Sequence, residues 1–348
     1  MTAGALPLPA DVRSHRRVLA RRTAVVTTAL GALVFVLFLA VLMIGDVDLA
    51  PWDVLASALR LRDDATVDFV VRDLRLPTAL TALFVGVALG VSGMVFQRLL
   101  ANPLASPDLV GVSSGASLFA VVAIVLLNLS SVLVSTAALV GALVSCGLIY
   151  VLAWRDGISG YRFILIGIGI SEFMLSIVGY IIARAEFWDA REAVTWLVGS
   201  VGQAGSGELR AVGVAVLVLV PAAMLLGRPL RALELGDDSA RALGARIELN
   251  RLALILCAIG LVAFATAAAG PIIFVALIAN PIATRLLGAA GSSVLAAGFV
   301  GAIVVLGAEL VCDHLLPVEL PTGVVTGAIG APYLLWLLAT VNREGRGG

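Results

Sequence analysis

"RLLANPLASPDLVGVSSGAS", Arg98–Ser117, lies between two long apolar runs and is broken at Asn102-Pro103, at Ser106-Pro107-Asp108, and at Gly111 and Gly115. A tight turn would reverse the chain with far fewer residues. Proline fixes its own φ and pushes the residue before it away from the helical region, so the segment reads as a stiffened polar connection between helices. Around it the composition is extreme: 61% of the 348 residues are hydrophobic, 13% are charged, and mean hydropathy is +1.09. Soluble domains carry about 25% charged residues; half of that leaves too little polar surface to coat a globule. The composition is that of a polytopic membrane protein.

A helix needs about 20 apolar residues to cross the hydrocarbon. Working outward from the opening segment, spans are expected at Ala24–Ile44, Leu76–Phe96, Ser113–Leu127, Ser131–Trp154, Ile164–Ile182, Ala211–Leu226, Leu252–Ala269, Ile272–Leu287, Ser293–Val311 and Thr322–Thr340. The third and eighth of these ten are short, and short or interrupted spans often line the pathway of a transporter. "AVTWLVGS" (Ala193–Ser200) reads as a short interfacial piece. The first run follows five arginines but is too long for a signal peptide, so it reads as a retained span. Gly86, Gly90 and Gly93 recur at the spacing that lets helix backbones approach closely.

All 23 basic residues are arginine. With the N-terminus inside, 16 of these 23 fall on the cytoplasmic side, as the positive-inside rule requires. The expected plan is a tail over residues 1–23, a transmembrane domain over 24–341 and a tail over 342–348, with both termini cytoplasmic. Without lysine the chain cannot carry a phosphate-binding P-loop. A net charge of zero suggests no nucleic-acid partner. Cys146, Cys257 and Cys312 are too scattered for a zinc site or disulfide framework. No nucleophile–base–acid constellation assembles from the two histidines, so neither an enzyme site nor a metal site is expected.

The largest cytoplasmic loop, Arg228–Arg251, contains "LGDDSARALG" (Leu235–Gly244), which reads as a short helix. Asp237 and Asp238 occupy its first turn, where the helix dipole favours negative charge. Ala240 and Leu243 share a face, and Gly244 stops it. On residues alone, docking into a partner's groove and a merely solvated loop stand even.

The residues now carry a resemblance. "LRLPTALTALFVGVALGVSGMVFQRLLANPLASPDLVGVSSGAS" (Leu74–Ser117), "LGDDSARALGA" (Leu235–Ala245), "AAAGPIIFVALIANPIATRLLG" (Ala267–Gly288) and "VELPTGVVTGAIGAPYLLWLL" (Val318–Leu338) resemble, in order, the signature stretches of FecCD-type permeases. These are membrane subunits of ABC importers for ferric siderophores, haem and cobalamin. "YRFILIGIGIS" (Tyr161–Ser171) is most similar to the ferric-enterobactin branch. The resemblance implies an all-α, ten-helix BtuC-like (type II) importer permease fold in the bacterial cytoplasmic membrane. It also implies a second permease subunit, two cytoplasmic ABC ATPase subunits that use ATP and Mg, and an extracytoplasmic binding protein. This chain would bind no cofactor. The implied cargo is a ferric siderophore of the catecholate class, with cobalamin and haem left open.

Residue by residue, the resemblance assigns ATPase coupling to Gly236, Asp237, Asp238, Ala240, Leu243 and Gly244. It assigns the inner signature loop to Asn102, Pro103, Pro107, Asp108 and Gly111, and binding-protein docking to Arg75. Where relatives read "APHIAR", this chain has Ala279-Asn280-Pro281-Ile282-Ala283-Thr284, so the histidine is missing and the proline is shifted. Places that often hold arginine carry Thr78 and Asp313, which points to a paralogous partner supplying those charges. Glu172 and Glu309 lie within spans and are candidate pathway residues; Glu309 stands where relatives have aspartate, which implies a structural role in bonding a neighbouring helix. Burying a charged Glu172 in lipid would cost about 2.5–3.5 kcal/mol or more, by analogy with aspartate. An ion-coupled secondary transporter using these two carboxylates is the rival reading.

Overall fold

The computed structural model describes residues 10–45, 50–58, 60–61, 64–154, 160–242, 244, 246–314 and 320–344. Fifteen α-helices follow one another among them: α1 (Ala10–Met43), α2 (Pro51–Ala58), α3 (Ala65–Asp68), α4 (Leu76–Leu99), α5 (Val112–Val121), α6 (Ser131–Ala153), α7 (Gly160–Arg184), α8 (Phe187–Val198), α9 (Ser206–Leu225), α10 (Gly227–Leu233), α11 (Asp237–Ala242), α12 (Ile247–Ala269), α13 (Val275–Leu287), α14 (Val294–His314) and α15 (Thr322–Glu344). Seven helical stretches are long and apolar enough to cross a membrane, and three shorter apolar ones, Val112–Leu126, Val275–Ala290 and Thr322–Leu337, complete the ten expected.

Several boundaries differ from the expectation for physical reasons. A wide helical turn, Phe69–Arg75, joins α3 to α4, so the second span is one rod over Ala65–Leu99 rather than a helix starting at Leu76. The charges at Asp68, Arg72, Asp73 and Arg75 hide that continuity from a hydropathy window. The interfacial piece expected at Ala193 begins earlier, at Phe187, and ends where Gly199 turns to φ 77°. The apolar first run is the later part of a helix that starts at Ala10.

Helix α4 is the axis of the bundle, with α14, α12, α13 and α9 packed around it. Its small residues make this possible. A methyl group added at Gly86 would lie 2.6 Å from Ala302 Cα. One at Gly90 would strike the Ala297 carbonyl, and one at Gly93 the Ala276 carbonyl. In lipid, helices associate through such close packing rather than through exclusion of water. Ser92 Oγ adds a buried bond, donated to Ala258 O of α12 at 2.8 Å. A Gly93→Ala variant is expected to lose about 1–3 kcal/mol, the usual cost of overpacking, seen as a lower thermal midpoint in detergent. Gly147→Ala, where the new methyl meets open space, is expected to keep the wild-type midpoint or exceed it.

Candidate coupling site

Helix α11 exists because two glycines bracket it: Gly236 has φ 90° and Gly244 φ 78°, values that favour glycine. The helix is therefore six residues, Asp237–Ala242, not the ten expected from Leu235. Asp237 and Asp238 take the first turn, and the Ala240 N–H bonds Gly236 O at 2.9 Å. Ala240 is fully buried, in a helix that packs on α10 and α12. Its methyl anchors α11 to this chain instead of facing outward for a partner. The outward surface consists of Asp238, Ser239, Arg241 and Ala242, with Arg241 paired to Asp238 at 3.0 Å. The Leu243 assignment lies outside the described residues.

Two arginines strap this segment to the bundle. Arg98, in the last turn of α4, holds Glu234 at the end of α10 through both carboxylate oxygens: Nη2 donates to Oε2 at 2.6 Å and Nε donates to Oε1. Arg251 of α12 donates from Nη2 to Asp237 Oδ1 at 2.8 Å. A two-pronged guanidinium–carboxylate pair fixes orientation as well as distance. In the sequence Arg98 and Arg251 register only as positive charges on one side. Charges at opposite ends of a loop signal that a pair can form; which charges meet depends on helix packing.

The Asn102–Gly111 connection is held by hydrogen bonds at several residues. Asn102 Oδ1 accepts from the Leu104 N–H at 2.9 Å, and the Ala105 N–H bonds Asn102 O. Pro103 is exposed and Pro107 buried, the latter opening a single tight turn capped by Ser106. Asp108 Oδ1 accepts from Ser113 Oγ at 2.6 Å, and its Oδ2 accepts from Ser106 Oγ at 3.2 Å. Gly111 takes the left-handed φ of 82°, a Cβ there would come 2.7 Å from Ile149 Cδ1 and 3.0 Å from Ser171 Oγ, and its carbonyl accepts from Ser145 Oγ at 2.7 Å. The connection is thereby fastened to α5, α6 and α7. Burial pushes the Asp108 carboxyl above its usual range, and the Ser113 and Ser106 bonds only partly oppose this.

At the other end of α4, Arg75 Nη1 donates to the Leu42 and Met43 carbonyls at 3.2 and 3.1 Å, closing the C-terminus of α1. The two carboxylates grouped by sequence fall in unlike places. Glu309 is 4% exposed and accepts from Thr322 Oγ1 at 2.6 Å, while that hydroxyl accepts from the Val201 N–H at 3.2 Å. This is a joint between α14, α15 and the loop after α8. Glu172 lies on an open face of α7 beside Gly169, Ser176 and Gly179.

Residues 31–340 match the FecCD transport family. The chain belongs to that family. Relatives of the FecCD chain include the ferric enterobactin transport system permease protein FepG of Escherichia coli (strain K12). It is 40% identical over 80% of this chain and 85% of its own. The achromobactin transport system permease protein CbrC of Dickeya dadantii (strain 3937) is 36% identical over 88% of each chain. A solved inward-facing metal-chelate type ABC transporter superposes with a TM-score of 0.79 at 28% identity, covering 91% of this chain and 99% of that one. The FecCD chain is thus a multi-pass permease subunit of an ABC importer in the cytoplasmic membrane, and not an enzyme.

The Asp108 environment has a checkable consequence. A carboxyl whose folded pKa is raised favours the folded state fully below its unfolded pKa, about 3.9, and that contribution is lost as pH rises through the folded value. An Asp108→Asn variant, neutral at every pH, is expected to unfold at a higher temperature than wild type at neutral pH. The gap should close as pH falls towards 4, as measured by thermal unfolding in detergent across a pH series.

Proposed function

We propose that this chain forms, with a second and paralogous permease subunit, the membrane pathway for a ferric siderophore of the catecholate class. Two cytoplasmic ATPase subunits drive it by hydrolysing Mg-bound ATP, and α11 is the surface on which they push. The observation that carries the coupling is α11 itself: a short helix with a charged outward face, pinned to α4 through Glu234–Arg98 and to α12 through Asp237–Arg251. The cargo class follows from the likeness to the ferric enterobactin permease.

In this reading the termini lie on the cytoplasmic side with α11. An extracytoplasmic binding protein docks at the opposite end, near Arg75. The open face of α7 turns Glu172 towards the pathway shared with the second subunit, where a carboxylate keeps company with water. Glu309 serves the fold at its joint with Thr322. Thr78, whose hydroxyl bonds back to Leu74 O, leaves the docking rim short of positive charge, and the paralogous subunit supplies it.

The test is uptake by the complete complex in proteoliposomes, offered ferric enterobactin, a ferric hydroxamate, haem and cobalamin. The catecholate is expected to enter first and only with ATP inside. Uptake driven by a proton gradient alone, or a preference for cobalamin, would overturn the reading; full activity of this chain as a homodimer would refute the paralogous partner. Reversing the outward charges of α11, Asp238→Arg with Arg241→Glu, is expected to leave insertion intact. It should cut ATP-driven uptake by about tenfold or more, equivalent to roughly 1.4 kcal/mol of lost contact.

A further inference from the structure

Helix α13 is short and interrupted. It is preceded by Phe274 at φ 68°, a left-handed conformation that costs a bulky residue about 1–3 kcal/mol. It also contains Pro281. Proline has no N–H, so the carbonyl one turn back, Leu277 O, has no donor within its own helix. In a bilayer such a group must be satisfied by protein.

The donor comes from another helix. Gln97 Nε2 bonds Leu277 O at 2.9 Å. Gln97 Oε1 accepts from Asn280 Nδ2 at 2.9 Å, and Asn280 Oδ1 accepts from Ser292 Oγ at 2.6 Å and Thr284 Oγ1 at 3.4 Å. Gln97 and Asn280 are 3% and 8% exposed. The chain of bonds fixes both amide orientations, because a reversed Gln97 would set its oxygen against a carbonyl. Departures from the family pattern at positions 280 and 281 therefore belong together: the proline opens a carbonyl, and the asparagine holds the glutamine that closes it.

Gln97 and Arg98 are neighbours in the last turn of α4. One grips the break in α13, and the other grips Glu234 just before α11. The Gln97 carbonyl accepts from the Asn102 N–H at 3.0 Å, so the polar connection is tied to the same turn. We propose that this turn is the lever by which movement of the α11 segment reaches α13: Arg98 receives it through Glu234, and Gln97 delivers it to the carbonyl opened by Pro281. Both are positioning residues. The inference rests on the reading of α11 as the ATPase-facing element.

The test uses the complete complex in proteoliposomes and reads cargo moved per ATP hydrolysed, a ratio that loss of folded protein alone leaves unchanged. Gln97→Leu is expected to lower that ratio by about tenfold while ATP hydrolysis continues. Adding Pro281→Ala returns a backbone N–H to Leu277 O; the double variant should regain thermal stability yet stay uncoupled. If the double variant recovers coupling, or if Gln97→Leu never loses it, Gln97 only repairs a helix and the lever is wrong.

Should Gln97→Leu fail to fold, the strap supplies a second arm. Arg98→Glu is expected to uncouple, and Arg98→Glu with Glu234→Arg to recouple; no loss in the single variant would overturn the lever. Wild-type uptake that proceeds without ATP would instead overturn the α11 reading, and the lever with it.

Discussion

Close approach of one helix backbone to its neighbours is the constraint on which this bundle depends. Lipid offers no exclusion of water to hold helices together, so attraction must come from atoms brought near enough for dispersion and for the occasional buried hydrogen bond. Gly86, Gly90 and Gly93 bring α4 against α14 and α13, and the Ser92–Ala258 bond adds α12. The two ends of that helix carry polar ties to the rest of the fold: Arg75 against the end of α1, and Gln97 with Arg98 at the far end.

Polar groups in the structure fall into two kinds. Some repair the backbone: Gln97 meets the carbonyl freed by Pro281, Arg75 meets the last carbonyls of α1, and Thr322 joins Glu309 to the Val201 N–H. Others hold surface elements in register, as the Arg98–Glu234 and Arg251–Asp237 pairs do for α11. The first kind is obligatory wherever water is absent. The second is a choice, and it is concentrated beside the polar connection and α11.

What could be read from sequence follows the same division. Uninterrupted apolar runs admit only one structure in a bilayer, so the spans were legible, as was the close packing of Gly86, Gly90 and Gly93. The position of α11 was legible too, because Gly244 marks its end; its start at Asp237 rather than Leu235 was not, since it depends on the left-handed turn at Gly236. The direction of its apolar face was not: spacing puts Ala240 on a face without saying that the face turns inward. Arg98 and Glu234 are 136 residues apart, and only the packing of α4 beside α10 joins them. Gln97 resembles any polar residue at the end of a span until Pro281 is seen opposite it. Glu309 read as a helix-bonding residue through its place in the family pattern, but its partner Thr322 and the Val201 N–H beyond it come together only in the fold.

The uninterrupted rod from Ala65 to Leu99 has a geometric corollary. At about 1.5 Å per residue its 35 residues measure roughly 52 Å, well beyond the hydrocarbon thickness of about 30 Å. By the same rise, pivoting such a beam by about 1° about one tip swings the other by about 1 Å. The rim bearing Arg72 and the turn bearing Gln97 stand near the two ends of one continuous helix, so a tilt of that helix displaces one relative to the other.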